Sequence, residues 1–231
     1  MEPDRVLTPA ARALLEVLQQ GSVAAAPALL GATLVSDLGG RVAVRVTEVE
    51  AYREDDAASH SARGNTPRTT VMFGPAGHLY VYFVYGMHWA ANVSCAPDGL
   101  GQAVLIRAGE VTEGLDLARS RRPAARRDVD LARGPARLAA ALGLDRAVLG
   151  VDLLDPGSPV RLVAAGVPCA DPAVGPRVGI SVARDVPWRW WVPADPTVSA
   201  FRAGTRRQHR GVLPPTDDPA GLQDDKPKKR R

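Results

Sequence analysis

The chain has 231 residues, of which 45% are hydrophobic and 23% charged, values typical of a folded protein with a sizeable core. Cys95 and Cys169 belong to no C-x-x-C pair and the four histidines form no H-E-x-x-H motif, which argues against a disulfide scaffold and a catalytic metal. The net charge of +4 resides in residues 206–231, where five Arg and three Lys oppose four Asp.

The N-terminal sequence MEPDRVLTPA carries acids where a secretory signal peptide would carry positive charge. The longest apolar stretch, VAAAPALLGATLV, contains a proline and is too short to span a bilayer. We therefore expect an intracellular protein with no membrane segment. Its location would be cytoplasmic and nucleoid-associated in a bacterium, or nuclear in a eukaryote.

The first elements are two helices followed by two strands. Thr8 as N-cap and Pro9 in the first turn predict a helix that stops at Gly21, and a second short helix is predicted over residues 24–30. Alternating apolar residues then predict strands at residues 34–35 and 41–50, separated by an Asp-Leu-Gly-Gly turn.

The rest of the chain mixes a long loop with further β structure. Residues 53–77 are rich in charge, Gly and Pro and are predicted to form a functional loop with little regular structure, whereas residues 78–94 read as a β-hairpin. The later predicted elements are a strand at 102–108, a helix at 130–142 and strands at 178–182 and 188–192. We predict one α+β domain over residues 1–205 and a disordered basic tail over residues 206–231.

Two carboxylates end the strand at residues 41–50. With side chains alternating between faces, Glu48 and Glu50 are predicted to share the apolar face of Val42, Val44 and Val46. A carboxylate that leaves the core in this way is a candidate general base or a stabiliser of positive charge. A solvent-exposed strand end is the alternative, and a bulge near Glu48 would change the face.

All four tyrosines of the chain lie between residues 52 and 85. Gly86-Met87 fits a type II′ turn, which puts Tyr85 beside the tip of the hairpin. Tyr85 is either an ordinary exposed tyrosine or a wedge that enters DNA and replaces an extruded base. Tyr80 and Tyr82, on the opposite face, either pack inward or line a pocket, and Asn92 on the return strand could read a base edge.

An arginine cluster follows the strand at residues 102–108. It is either a solvated face or a patch that tracks DNA phosphates. Its members are Arg119, Arg121, Arg122, Arg126, Arg127, Arg133 and Arg137.

Eight ordered motifs resemble those of the 3-methyladenine (alkyladenine) DNA glycosylase family, over roughly residues 10–202. They are E-A-Y (50–52), H-S (60–61), T-P-R (66–68), M-F-G-P-x-G-H-L-Y-V-Y-F-x-Y-G-M-H (72–88), N-V (92–93), A-V-L-I-R-A-G-E (103–110), R-G-P-A-R-L (133–138) and P-R-V-G-I (176–180). The resemblance implies an α+β fold with a curved, mainly antiparallel sheet, like the C-terminal domain of formyltransferases, and a hairpin that inserts into DNA. It also implies release of alkylated or deaminated purines from duplex DNA, without a cofactor and by a monomer.

The resemblance assigns catalytic roles residue by residue. Glu50 matches the general base that activates water, Arg107 matches the arginine that helps hold this water, and the backbone near Val178 should face the same site. An ionised Glu50 suits hydrolysis of an N-glycosidic bond, because positive charge develops on the sugar.

The same resemblance assigns the residues that bind the base and the DNA. Tyr52, His60 and Tyr82 match the walls that stack on a flipped base, Tyr85 the intercalating side chain, and Asn92 the residue that excludes the guanine amino group. Arg119, Arg121, Arg122, Arg126 and Arg127 are the candidates for DNA backbone contacts.

The distribution of lysine predicts whether the enzyme also cuts the DNA backbone. Glycosylases that also nick the backbone commonly form a Schiff base through an amine. Lysine occurs only at positions 226, 228 and 229, so we expect a monofunctional enzyme that leaves an abasic site.

Two other classes of function remain open. One is a module that flips damaged bases without cutting, and the other is a small-molecule hydrolase that uses Glu48 and Glu50.

Overall fold

The core of the fold is a curled sheet of eight strands, seen in a computed structural model that describes residues 7–84 and 88–204. The strands are β1 (Thr33–Ser36), β2 (Val42–Tyr52), β3 (Leu79–Val84), β4 (His88–Ser94), β5 (Ala103–Glu113), β6 (Val160–Val163), β7 (Ala173–Gly175) and β8 (Arg189–Trp191). The order β3-β4-β5-β2-β1-β6 is antiparallel throughout, and β8 pairs with β7 and with β2. The predicted α+β class with a mainly antiparallel sheet is confirmed.

Within residues 7–84 and 88–204, five α-helices flank this sheet. They are α1 (Pro9–Leu18), α2 (Ser22–Ala28), α3 (Thr70–Phe73), α4 (Leu115–Arg121) and α5 (Pro135–Leu142). The predicted start of α1 is confirmed, since the Thr8 side chain accepts a hydrogen bond from the Ala11 backbone N–H at 3.1 Å and Pro9 is the first helical residue. The apolar side of α5 packs against β4 and β5, as expected for a short helix whose stability comes from burial.

Several local predictions were wrong in extent. Residues 178–182 form no strand, and α4 was not anticipated. The helix predicted at 130–142 begins at Pro135, because Gly134 has a φ of 136° that no helix accommodates. Residues 53–77 are mostly loop but contain α3 and a short 3₁₀ helix at His60–Arg63.

The pairing of β3 with β4 confirms the hairpin strands. Leu79 lies opposite Val93, and Tyr80 and Tyr82 lie opposite Asn92 and Ala90. The predicted turn and Tyr85 fall outside the described residues, so the intercalating role stays a prediction. The likeness to formyltransferases and the tail boundary at residues 205–206 also stay predictions.

A β-bulge in β2 reverses the face on which the two glutamates lie. Val42, Val44 and Val46 contribute to the apolar core, and the core positions then change to Val49 and Ala51. The register with β5 shifts on both sides of Glu48, which breaks the two-residue alternation. Glu48 and Glu50 therefore share a face, as predicted, but it is the face opposite the three valines, and that part of the prediction was wrong.

The structure also bears on membranes. Within the two described ranges, no helix combines the length and apolar character needed to cross a bilayer.

Candidate active site

Glu50 is a completely buried carboxylate surrounded by donors. Its Oε1 accepts a hydrogen bond of 2.8 Å from the backbone N–H of Val178 and lies 3.4 Å from Arg107 Nη1. Its Oε2 accepts a hydrogen bond of 2.8 Å from the Tyr52 hydroxyl. A carboxylate offers about four lone pairs, so these three donors leave it with accepting capacity. The bulge in β2 creates this site, because it turns Glu50 away from the apolar core.

A second buried carboxylate, Glu48, lies beside the first. Arg107 Nε is 3.2 Å from Glu48 Oε1, so this arginine spans both carboxylates. Glu48 also accepts hydrogen bonds from Arg189 Nε at 2.6 Å and from the backbone N–H of Ser199 at 2.8 Å. Two acids and two arginines thus balance each other in a largely buried cluster, as buried charges require.

A buried ion pair supports the neighbouring tyrosine. Arg177 binds the carboxylate of Asp56 and donates to the backbone carbonyl of Ala51 at 3.0 Å. The Arg177 guanidinium lies 4.6 Å from the ring centroid of Tyr52 and 5.4 Å from that of Trp188. Burial and then the nearby charge of Glu50 raise the pKa of Tyr52 well above its usual value, which keeps its hydroxyl protonated as a donor.

An open cavity of about 340 Å³ lies next to this cluster. It is lined by Tyr52, Ala58, Ser59, His60, Arg68, Met72, Tyr80, Tyr82, Phe83, Asn92 and Ile180. The cavity falls within the usual size range of a small-molecule site, and three tyrosines and Phe83 are among its eleven lining residues, which gives it aromatic faces suited to a planar base.

His60 is held in the cavity wall by two serines. Ser59 caps the short 3₁₀ helix, and the Ser61 hydroxyl donates to the carbonyl of Gly101 at 2.6 Å. The His60 ring meets that of Tyr82 edge-on at 4.4 Å. Burial and, secondarily, the charge of Arg68 lower the pKa of His60 from 6.5 to about 4, so the ring is neutral near pH 7.

Strands β3 and β4 contribute a further part of the lining. Tyr80 and Tyr82 stack at 5.7 Å, and burial followed by the charge of Glu50 raises the pKa of Tyr82 to about 12. Asn92 is buried and its Nδ2 donates to the Tyr80 carbonyl at 3.0 Å, which fixes the orientation of the amide. Tyr80 is also almost fully buried, and both Tyr80 and Tyr82 line the cavity. The two alternatives for these tyrosines, packing inward and lining a pocket, are therefore each partly correct.

The structure brings most of the predicted site residues together. Tyr52, His60, Tyr82 and Asn92 line one cavity. Glu50, Arg107 and the Val178 backbone are not in its lining but form the adjoining cluster, joined to it by the Tyr52 hydroxyl. Within the described ranges, no group of three or more His, Cys, Asp or Glu is placed to hold a metal ion.

Sequence reasoning missed Asp56, Arg68 and Arg177. Arg68 and Arg177 stand inside the quoted T-P-R and P-R-V-G-I motifs, which was the available signal. Asp56 offered none, because its partner is 121 residues away along the chain.

The arginines predicted to contact DNA differ in whether their charge is already paired with an acid. Arg119 is paired with Asp116 and Asp128 at 2.6 and 2.8 Å, and Arg127 with Asp130 at 2.9 Å. Such exposed pairs contribute little stability but reduce the local positive charge.

The other three arginines belong to a separate basic groove. Arg121 donates to the carbonyls of Ala141 and Leu38, and Arg122 Nε to that of Leu131 at 3.2 Å, whereas Arg126 is exposed. The groove is lined by His88, Arg121, Arg122, Ala124, Ala125, Arg126, Asp130, Ala136, Arg137 and Ala140.

Comparison with known proteins identifies the family. The model of the Methylpurine-DNA glycosylase family matches residues 16–196. The chain belongs to this family. A relative from Nocardia farcinica, provisionally named a 3-methyladenine DNA glycosylase, is 56% identical over 189 residues, which cover 79% of this chain and 88% of that protein.

Two further relatives carry the same provisional name. That from Streptomyces avermitilis is 50% identical over 214 residues, covering 90% of this chain and 98% of its own. That from Mycobacterium tuberculosis is 50% identical over 203 residues, covering 85% and 98%. Membership in the family gives the enzyme class, a DNA glycosylase.

Proposed function

We propose that this DNA glycosylase is monofunctional, flips alkylated or deaminated purines out of duplex DNA and hydrolyses their N-glycosidic bond with a water activated by Glu50. The proposed substrates are bases of the 3-methyladenine, 7-methylguanine and hypoxanthine type. The observation that carries the proposal is the position of a buried, hydrogen-bonded carboxylate directly beside an aromatic cavity, joined by the Tyr52–Glu50 contact of 2.8 Å. Flipping is required because the reacting bond is inaccessible within a stacked duplex.

Glu50 has the chemistry for two tasks. Ionised, it stabilises positive charge that develops on the deoxyribose, and it accepts a proton from the attacking water. Its orientation is set by the Val178 N–H and the Tyr52 hydroxyl, which bind different oxygens. Arg107, 3.4 Å from Glu50, can donate to the lone pairs of a water that also contacts Glu50, which orients this water without removing its protons.

The cavity has the chemistry for gripping a purine. Tyr52 and Tyr82 offer electron-rich faces, and a base made cationic by methylation gains about 0.5–2 kcal/mol from such a face. Raised pKa values keep both phenols protonated near pH 7. The fixed amide of Asn92 supports a steric exclusion of the guanine amino group, since the hydrogen bond from Nδ2 to the Tyr80 carbonyl keeps the side chain from moving aside.

The proposed product is an abasic site in an intact strand. A lyase step through a Schiff base needs an amine, and lysine occurs only at positions 226, 228 and 229. Hydrolysis by water needs no cofactor, so we propose none.

The proposed partner is double-stranded DNA bound by a monomer. Tyr85 would fill the space of the flipped base. Arg121, Arg122 and Arg126 would contact phosphates through the basic groove, and the paired Arg119 and Arg127 would contribute less. The catalytic domain would comprise residues 1–205 and the basic tail residues 206–231, and the bacterial relatives favour a cytoplasmic, nucleoid-associated location.

The test is a panel of duplexes that each carry one defined lesion. We expect release of free base from alkylated or deaminated purines, alkali-labile abasic sites, and no strand breaks without alkali. Borohydride should trap no covalent complex. Duplex binding without base release would instead favour the recognition module, and failure to bind duplex DNA would favour the small-molecule hydrolase.

A further inference from the structure

Arg68 gives the base cavity a fixed positive charge. Among the described residues that line the cavity, it is the only one that is permanently charged, since His60 is neutral near pH 7. The Arg68 guanidinium carbon lies 5.8 Å from the ring centroid of Tyr82, and its Nη2 lies 3.4 Å from His60 Nε2. The side chain is exposed and therefore stands at the rim, within reach of a bound base.

The contact with Arg68 also determines which ring nitrogen of neutral His60 carries the proton. Arginine has donors and no acceptor, so Nε2 of His60 takes the accepting role toward Arg68. The proton of the neutral ring is then on Nδ1, which donates to the Tyr80 hydroxyl at 3.1 Å. Because the Nε2 lone pair faces Arg68, the His60 ring offers an incoming base no free acceptor, and the guanidinium offers it N–H donors.

The charges around the cavity oppose one another. Tyrosine faces and the carboxylate of Glu50 favour a cationic purine, but Arg107 neutralises part of the Glu50 charge at 3.4 Å. Arg68 adds repulsion for a cationic base, and it adds a donor for any base that presents a carbonyl oxygen or a ring nitrogen lone pair. Arg177 pairs with Asp56 and packs against the ring of Tyr52. Unlike Arg68, it does not line the cavity.

Resting on the proposed function, we infer that Arg68 is a specificity-determining residue of the base pocket. It favours neutral purines that carry an acceptor, as deaminated purines do, over purines that alkylation has made positively charged. The enzyme therefore has two sets of groups that act in opposite directions on base charge, and Arg68 sets the balance between them.

The test compares excision of hypoxanthine and of 7-methylguanine from otherwise identical duplexes. Single-turnover rate constants at saturating enzyme are measured for the native protein, Arg68→Met, Arg68→Lys and Arg63→Met. Arg63 is the matched control, because it is exposed on the same short 3₁₀ helix as His60 and does not line the cavity. Both methionine variants lose one charge from the same loop, so they share any general loss of attraction to DNA.

We expect Arg68→Met to shift the ratio of the two rate constants toward 7-methylguanine by about tenfold, the size of one partly screened charge contact. Arg68→Lys should retain most of the native ratio, because it keeps the positive charge. Arg63→Met should leave the ratio unchanged. Thermal unfolding midpoints should agree among all four proteins, since the substituted side chains are exposed.

The inference is overturned if Arg68→Met slows both substrates equally, as expected of a residue that contacts only a phosphate. It is also overturned if Arg63→Met changes the ratio as much. Failure of the proposed function has a different signature, since the native protein would then release neither base.

Discussion

Replacing Glu50 by Gln removes a negative charge from the centre of the site while keeping the size of the side chain. The amide oxygen can still accept from the Val178 N–H, and the amide NH2 can donate to the Tyr52 hydroxyl oxygen, so both neighbours keep a partner. The amide cannot take a proton from water. Because the cavity itself is lined by other residues, we expect the base grip to survive.

The surrounding charges indicate that Glu50→Gln loses as much rate as the largest losses usually seen when a general base is removed. Glu48, Glu50, Arg107 and Arg189 form a cluster with balanced charge, and the substitution leaves it with one excess positive charge. In the proposed mechanism, that excess would lie next to the place where the sugar becomes positive. Loss of a general base typically costs about 10²–10⁴-fold, and the added repulsion favours about 10⁴-fold, or ~5 kcal/mol of barrier.

The assay is single-turnover base release from a lesion duplex, together with duplex affinity and thermal unfolding. Glu110→Gln is the benign control, because this residue is exposed on β5 and pairs with Arg45 at the surface. Glu48→Gln is a contrasting control. It leaves Arg189 buried without its carboxylate, and breaking a buried pair costs about 3–5 kcal/mol of stability.

The expected pattern is therefore a large loss of rate with a smaller loss of stability for Glu50→Gln, because Arg107 keeps Glu48 as its partner, and a larger loss of stability for Glu48→Gln. Base release by Glu50→Gln at near the native rate would show that another group activates the water. A loss of lesion binding that parallels the loss of rate would show that Glu50 holds the pocket together and has no separate chemical role.

Three further predictions concern the cavity, the hairpin and pH. Asn92→Ser should increase release of guanine from undamaged duplex, measured as abasic sites, because it removes the amide that we propose excludes the guanine amino group; an unchanged rate would refute that role. Tyr85→Ala should lose about 1–3 kcal/mol of stacking and slow excision of well-paired lesions more than mismatched ones, whereas equal slowing would argue against a wedge. The depressed pKa of His60, about 4 in the folded state, predicts that stability falls as pH decreases from 6.5 toward 4, since the unfolded chain binds a proton that the folded chain does not. Urea unfolding should show a weaker pH dependence in His60→Gln over this window, and an identical dependence would contradict the burial of a neutral ring.

The sequence by itself determined the elements that depend on neighbouring residues. Thr8 and Pro9 specify the start of α1 through a cap and a fixed φ, and both act within one turn. Alternating apolar residues specify β2, and runs rich in β-forming residues specify β3 and β4. The motifs also pointed to Tyr52, His60, Tyr82 and Asn92, which do line one cavity.

Only the tertiary structure decided the geometry around Glu50. Two-residue periodicity puts Glu48 and Glu50 on the face of Val42, Val44 and Val46, and the register shift against β5 puts them on the opposite face. A bulge is chosen by the fit between two strands, so the pattern within one strand does not contain it.

The same reasoning applies to the contacts that complete the site. The backbone N–H of Val178 reaches Glu50 across 128 positions of the chain, and Arg177 reaches Asp56 across 121. The predicted strand at 178–182 fails because that segment joins no strand ladder: the Val178 N–H donates to the Glu50 carboxylate and the Gly179 N–H to the Arg202 carbonyl at 2.9 Å. Local propensity specifies which residues form helices and strands, but the partner of a buried charge depends on which distant segments pack together, and only the folded chain determines this.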